Sequence, residues 1–327
     1  MVNSADLIIR KGVERKLWYK SDDSRTELMQ DALCTRTEPL VILGEAGMGK
    51  SHLLEWLATS PGYALCTARK LINRHEPRTL LGEAQILVID ALDEVSTHKD
   101  GDAVDLVLRQ LGKLGYPRFV LSCRVADWRS ATGLEAILEQ YQAAPLELHL
   151  IPFSDDDAVT FLSAALGPES AKVVVEHFLS RGLEELLGNP QTLELIAQVA
   201  GTGKLPETRS ELYGRAIEIL RVEHQDAKAD DQLAQETGLD AVGAVFAGLI
   251  LTGSEAIVRS SAANTAEGEL QLADAVCLPG GANIKAMLGT RLFKADGADR
   301  FSYTHRRLGE YLGARWLAKH ADTHHKR

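Results

Sequence analysis

Short apolar runs recur through the first half of the chain, at Leu40–Leu43, Tyr63–Cys66, Ile86–Ile89 and, within the strand expected over Arg118–Ser122, at Phe119–Leu121, and Leu146–Leu150 reads as a last strand. Runs this short, apolar at consecutive positions, suit strands buried on both faces of a parallel sheet. Between them the spacing lengthens to a helical period: Leu53, Leu54, Trp56 and Leu57, then Val104, Leu106, Val107, Leu108 and Leu111 within Val104–Leu114. Strands alternating with helices predict an α/β fold with a doubly wound parallel sheet and ligand loops at the strand ends. Upstream, Thr26–Leu33 reads as a short helix, and Pro39 breaks the chain before the first strand.

Beyond Pro152 the pattern becomes mostly helical. Asp155–Leu166 follows Ser154, an N-cap residue, and opens with acids that suit the positive end of a helix. Further helices are predicted over Ala171–Phe178, Pro190–Val199, Arg209–Glu223 and the apolar Leu239–Leu251, with Gln225–Glu236 a polar surface connection. Arg291–Ala295 and Arg300–Tyr303 flank Asp296-Gly297-Ala298-Asp299, a hairpin turn, and a helix carrying Leu308, Tyr311, Leu312 and Trp316 follows. Helices with one late hairpin fit a winged-helix unit. The expected division is a lead-in over 1–38, a nucleotide-binding core over 39–151, a helical domain over 152–203, a winged helix over 204–320 and a basic tail over 321–327. A chain of 327 residues can form that many cores.

Charge and composition narrow the partners. A formal net charge of -10 argues against coating nucleic acid. The four cysteines lack CxxC pairing and read as buried, reduced thiols. The N-terminus shows no signal-peptide pattern, and no apolar run reaches the ~20 residues of a membrane helix. A cytoplasmic protein with no membrane partner is expected.

The chemistry begins after the first apolar run. Gly44-Glu45-Ala46-Gly47-Met48-Gly49-Lys50-Ser51 matches G-x-x-x-x-G-K-[ST] between a strand and a helix. Gly44, Gly47 and Gly49 allow a tight loop whose N–H groups face phosphate oxygens, and the helix opening at Lys50, Ser51 and His52 turns its positive end to the same anion. Lys50 supplies a charge for the β- and γ-phosphates, and Ser51 a hydroxyl for Mg2+. Asp90, closing an apolar strand, is a second Mg2+ ligand, with Asp93 and Glu94 as candidates to polarise water. Arg124, after another strand, is placed to sense the γ-phosphate. No N-K-x-D segment for guanine is present, so ATP/ADP is the expected ligand.

Together these features resemble the NACHT family of STAND signalling NTPases. Asp90-Ala91-Leu92-Asp93-Glu94 is similar to its D-[GAS]-h-D-E strand end, Ser122-Cys123-Arg124 to its sensor strand, and Leu187-Gly188-Asn189-Pro190 to its G-x-P element. Leu205–Arg209 with Glu211-Leu212-Tyr213 resembles the entry to the family's winged helix. Phe301–His305 with Glu310–Ala314 is similar to the closing signature F-x-H-x-x-x-x-E-[FY]-L-x-A. The resemblance implies that Pro190 lies against adenine and that His305 touches the β-phosphate of ADP in a closed state. It also implies slow ATP hydrolysis, self-association in the ATP state and, in bacteria, antiphage defence. The family usually carries effector and sensor regions, which are expected here as separate or missing parts.

Two rival functions stand beside the switch. A ring-forming AAA+-like ATPase or loader would need an arginine acting between subunits, with Arg181 and Arg215 as candidates. A DNA-binding regulator with structural nucleotide would use Arg291, Lys294, Arg306 and Arg307, although a solvated charged face is the favoured reading of those four.

Overall fold

The apolar runs assemble into a seven-stranded sheet, seen in a computed structural model that describes residues 13–21, 24–92, 103–125, 128, 133–221, 235–259, 269–295 and 300–324. Its strands are β1 Lys16–Ser21, β2 Ser24–Met29, β3 Leu40–Leu43, β4 Tyr63–Thr67, β5 Ile86–Asp90, β6 Arg118–Cys123 and β7 Leu146–Leu150. They lie in the order β2-β1-β7-β3-β6-β5-β4. The strands from β7 to β4 are all parallel, so their carboxyl ends meet along one edge. The acidic strand β5 does not adjoin the loop-bearing strand β3; β6 separates them, with Leu43 opposite Cys123 and Ile89 opposite Leu121.

Both faces of the sheet are covered at β3, β5 and β6, which explains their apolar runs. Leu40 and Ile42 of β3 join Leu53, Leu54, Leu57, Val88, Val120 and Leu148 in one core. Val41 and Leu43 join Leu87, Ile89, Val104, Val107, Leu111, Phe119 and Leu121 in the other. Successive residues of one strand therefore enter opposite cores, as the two-residue period requires. The connecting helices include α1 Lys50–Leu57, α2 Ala68–Ile72, α3 Arg78–Leu81, α4 Ala103–Lys113 and α5 Gly133–Tyr141.

One expected element is replaced. Residues expected as a helix over Thr26–Leu33 instead form β2 and then a 3-10 turn over Gln30–Thr35. The strand pairs antiparallel with β1, Leu17 opposite Leu28 and Tyr19 opposite Thr26, and β1 in turn pairs with β7 through Leu17 and Leu150. The lead-in segment thus completes the sheet. The expectation of buried thiols holds for Cys66 and Cys123, whereas Cys34 and Cys277 are exposed. Burial pushes the Cys66 thiol up to about 12.

After β7 come α6 Asp155–Leu166, α7 Pro168–Leu179 and α8 Pro190–Ala200. Two compact units divide the chain, residues 1–193 and 194–327, with the boundary inside α8. The second unit contains α9 Arg209–Arg221, α10 Gln235–Thr252, β8 Ala256–Val258, β9 Glu269–Gln271, α11 Leu272–Cys277, α12 Ile284–Met287, β10 Phe293–Ala295, β11 Arg300–Tyr303 and α13 Arg306–His324. The two strands of the predicted hairpin pair antiparallel as β10 and β11, and β8 and β9 extend them into a four-stranded sheet; the expected turn over 296–299 lies outside the described residues. In this unit α10 and α13 pack closely at Gly243, where a Cβ would sit 2.8 Å from that of Trp316. Among the described residues no helix is long and apolar enough to cross a membrane.

Candidate functional site

The site is built on the carboxyl edge of the sheet, starting where β3 ends. Gly44 N–H donates to the carbonyl of Cys123 at 3.3 Å, tying the loop's first residue to the end of β6. Met48 is buried against the core beneath α1, anchoring the loop from inside. Gly47 and Gly49 take φ of 78° and 86°, left-handed values that cost an L-residue about 1–2 kcal/mol and that glycine adopts freely. The helix then starts at Lys50, with Leu53 N–H donating to the Gly49 carbonyl at 3.0 Å. An α-helix leaves its first N–H groups without intrahelical partners, and this turn follows directly on the glycine loop.

Lys50 Nζ donates to the carbonyls of Gly44 at 2.6 Å and Glu45 at 3.2 Å, so its charge lies over the loop. Ser51 is exposed, and His52 turns along the helix, its Nδ1 3.9 Å from Glu55 Oε2. Ala46 and Glu45 contribute backbone, Ala46 through the contact described below.

Asp90 closes β5 in a fixed orientation. Ser122 of the neighbouring strand donates to Asp90 Oδ1 at 2.5 Å, and the Ala91 N–H donates to the same oxygen at 2.9 Å. Oδ2 has no hydrogen-bond partner among the described residues. Ala91 has a φ of 59°, so the backbone turns sharply just after the carboxylate. The chemistry fits Mg2+: one carboxylate held in place through one oxygen leaves the other for the ion. Among the described residues no group of three or more His, Cys, Asp or Glu could form a protein cage. With Asp90 and Ser51 as its protein ligands, Mg2+ would complete its shell with phosphate and water oxygens, as it favours. Asp93 and Glu94 lie outside the described residues. Arg124 stands at the end of β6 on the same edge, half-buried, with its carbonyl accepting from Trp128 N–H at 2.9 Å.

Pro190 belongs to this edge through its neighbours. Asn189 Nδ2 donates to the Ala46 carbonyl at 3.0 Å, and Gln191 N–H donates to the Gly47 carbonyl at 3.2 Å. A Cβ on Gly47 would fall 2.7 Å from Gln191 Oε1 and 2.8 Å from Asn189 Oδ1, and one on Gly49 would come 3.9 Å from Pro190 Cγ. The start of α8 is therefore seated on the glycine loop.

Sequence reasoning singled out Pro190 and passed over the polar residues on either side; the Asn-Pro pair, a helix-start signal, was the available clue. It also passed over Ser122 as the Asp90 support. Arg15 had no sequence signal. Its guanidinium is buried over the Phe153 ring at 4.4 Å and donates through Nη2 to the Ile151 carbonyl at 3.0 Å, next to the end of β7. Desolvation lowers it to about 10, against an upward pull from Asp157.

His305 belongs to the second unit and immediately precedes α13, its carbonyl accepting from Gly309 N–H at 3.0 Å. The ring is buried and Nδ1 has no partner among the described residues. Burial, with Arg291 adding to it, lowers this imidazole to about 4, so it is neutral near pH 7. Of the rival candidates, Arg215 pairs with Glu211 of its own helix and donates to the Lys204 carbonyl, and Arg306 Nε donates to Glu310 Oε1 at 2.8 Å. Arg291 and Lys294 are exposed.

No family model matches this chain, nor does any curated protein. Among solved structures it is similar to domain III of the replication initiation protein DnaA from Thermotoga maritima, at 18% identity and a TM-score of 0.36, covering 58% of this chain and 89% of that one. It is also similar to a Walker-type ATPase of Pyrococcus abyssi, at 13% identity and a TM-score of 0.36, covering 86% of this chain and 93% of that one. A third similar structure is a DNA replication initiation factor, at 12% identity and a TM-score of 0.31, covering 69% of this chain and 67% of that one. Likenesses this loose transfer no property to the chain.

Proposed function

We propose that this chain is a P-loop NTPase that binds ATP and ADP with Mg2+ and uses the bound state as a switch. The observation that carries it is the Gly44–Ser51 loop, with left-handed Gly47 and Gly49 and with Lys50 Nζ over its carbonyls, opening onto α1. In this reading the loop amides and Lys50 hold the phosphates, while Ser51 and Asp90 hold the metal. Bound Mg2+ supplies charge neutralisation for the β- and γ-phosphate oxygens. Asp93 or Glu94 orients water, and Arg124 contacts the γ-phosphate. Support for Asp90 comes from Ser122, which fixes one carboxylate oxygen and leaves the other open.

The resemblance to NACHT proteins carries the finer reading: slow hydrolysis, self-association in the ATP state, and a signalling role that in bacteria would be antiphage defence. It likewise assigns 152–203 as a helical domain and 204–320 as a winged helix, with His305 as the residue that registers the nucleotide's state and Pro190 as an adenine contact. Effector and sensor would be separate partners or further parts of the protein.

The deciding measurement is titration of the full chain with a fluorescent ADP analogue in Mg2+. Lys50→Ala removes a charge-assisted contact of about 1.5–3 kcal/mol, so affinity should fall roughly 10- to 100-fold. Equal binding by wild type and Lys50→Ala, or no binding by either, would overturn the proposal.

A further inference from the structure

Asn189 occupies the junction between the glycine loop and α8 with both ends of its amide engaged. Its Oδ1 accepts from Thr192 N–H at 3.2 Å and lies 3.4 Å from Thr192 Oγ1, capping the helix that starts at Pro190. Its Nδ2 donates to the Ala46 carbonyl at 3.0 Å. The side chain is only 2% exposed, so water has little access to replace either bond.

The second bond has a directional consequence. In a trans peptide the carbonyl and the following N–H point to opposite sides of the chain. Holding the Ala46 carbonyl against Asn189 therefore turns the Gly47 N–H away from α8. Gln191 N–H holds the next carbonyl, that of Gly47, in the same manner at 3.2 Å. Gly47 fits between these side chains only because it has no Cβ. The loop's shape is thus imposed by a segment that lies about 140 residues further along the chain, rather than by its own glycines, whose freedom alone would allow many shapes.

We infer that Asn189 is a positioning residue for phosphate binding, fixing the loop's amides toward a nucleoside di- or triphosphate while also capping α8. The inference rests on the proposed nucleotide site. Its two functions separate by substitution. Asn189→Ser keeps an N-cap acceptor but has no amide to reach Ala46; Asn189→Asp keeps a strong cap and sets a carboxylate against the Ala46 carbonyl; Asn189→Ala loses both functions.

The test compares thermal melting with binding of a fluorescent ADP analogue in Mg2+, on the full chain, with Lys50→Ala as reference. Expected is a melting point lowered modestly in Asn189→Ser, which keeps the cap and loses one buried hydrogen bond, and lowered further in Asn189→Asp, which buries a charge, and in Asn189→Ala, which loses both bonds. Affinity should fall about 3- to 10-fold for Asn189→Ser and further for Asn189→Asp, as loss of one buried hydrogen bond implies. Wild-type affinity in Asn189→Ser or in Asn189→Asp overturns the positioning role while leaving the nucleotide site intact, provided Lys50→Ala still loses binding. If Asn189→Asp fails to fold, Asn189→Ser, the milder change, decides alone. Absence of binding by wild type sinks both the site and this inference.

Discussion

Gly47 meets two demands at once, a φ of 78° and contact with Gln191 and Asn189 closer than any Cβ tolerates. Gly47→Ala should therefore weaken nucleotide binding by at least ~10-fold, since the left-handed cost of about 1–2 kcal/mol adds to the steric conflict. Nucleotide titration checks this, and an affinity within twofold of wild type would refute it. His305 gives a pH-dependent counterpart in the second unit. Its imidazole titrates near 4 when folded, against an ordinary 6.5, so between those values the unfolded chain binds more protons. Stability from this group is complete above pH 6.5 and is lost as pH falls toward 4, by up to about 3 kcal/mol. Urea melts at pH 7 and pH 5 should differ by more in wild type than in His305→Gln. At this scale the sequence was legible where chemistry needs a fixed spacing, as in Gly44–Ser51. It was not legible where a single polar residue acts across the fold. Ser122 and Asn189 carry no local signal of the partners they meet, because Asp90 and Ala46 are distant in the chain.

Elements were most legible where their whole pattern is local. Ser154 and Asp157 form a reciprocal capping box, the Ser154 side chain accepting from Asp157 N–H at 3.2 Å and Asp157 Oδ2 accepting from Ser154 N–H at 3.0 Å. Ser154→Ala should lower stability by about 0.5–2 kcal/mol in chemical denaturation, without changing nucleotide affinity. An unchanged midpoint would show that the box is dispensable. The hairpin of β1 and β2 was missed for the opposite reason. Ser24–Met29 has few strongly apolar residues, and its extended form is selected by pairing with β1, which itself leans on β7 through Leu17 and Leu150. Tertiary pairing overrides weak local preference there. Strands β3 and β5 and the middle of β6 escaped that ambiguity because burial on both faces makes them apolar, whereas β7 alternates leucine with Glu147 and His149. Their order did not follow from the pattern. Placement of β6 between β3 and β5 is a long-range result, and its pairing with β5 lets Ser122 reach Asp90.

For the whole molecule, the proposed switch makes a claim that charge renders testable. A net charge of -10 means that two copies repel, and the reach of that repulsion depends on salt. The screening length is about 30 Å at 0.01 M ionic strength and about 8 Å at 0.15 M. Self-association in the ATP state should therefore strengthen between those conditions, in contrast to assembly driven by attraction of opposite charges, which weakens. The shift must also depend on the nucleotide. Moving a two-state balance from 1:99 to 99:1 takes about 5.5 kcal/mol of differential affinity, more than one hydrogen bond supplies, so several groups must distinguish ATP from ADP. Mass measurement of the full chain should then show larger particles in Mg-ATP than in Mg-ADP at 0.15 M salt, and a Lys50→Ala variant that stays small in both. His305→Ala should enlarge the particles in Mg-ADP and reduce the ADP that co-purifies, if that histidine registers the nucleotide's state. Unchanged occupancy and unchanged mass in His305→Ala would remove the histidine from the switch. Equal mass in ATP and ADP would remove the switch itself and leave a nucleotide-binding loop with some other use.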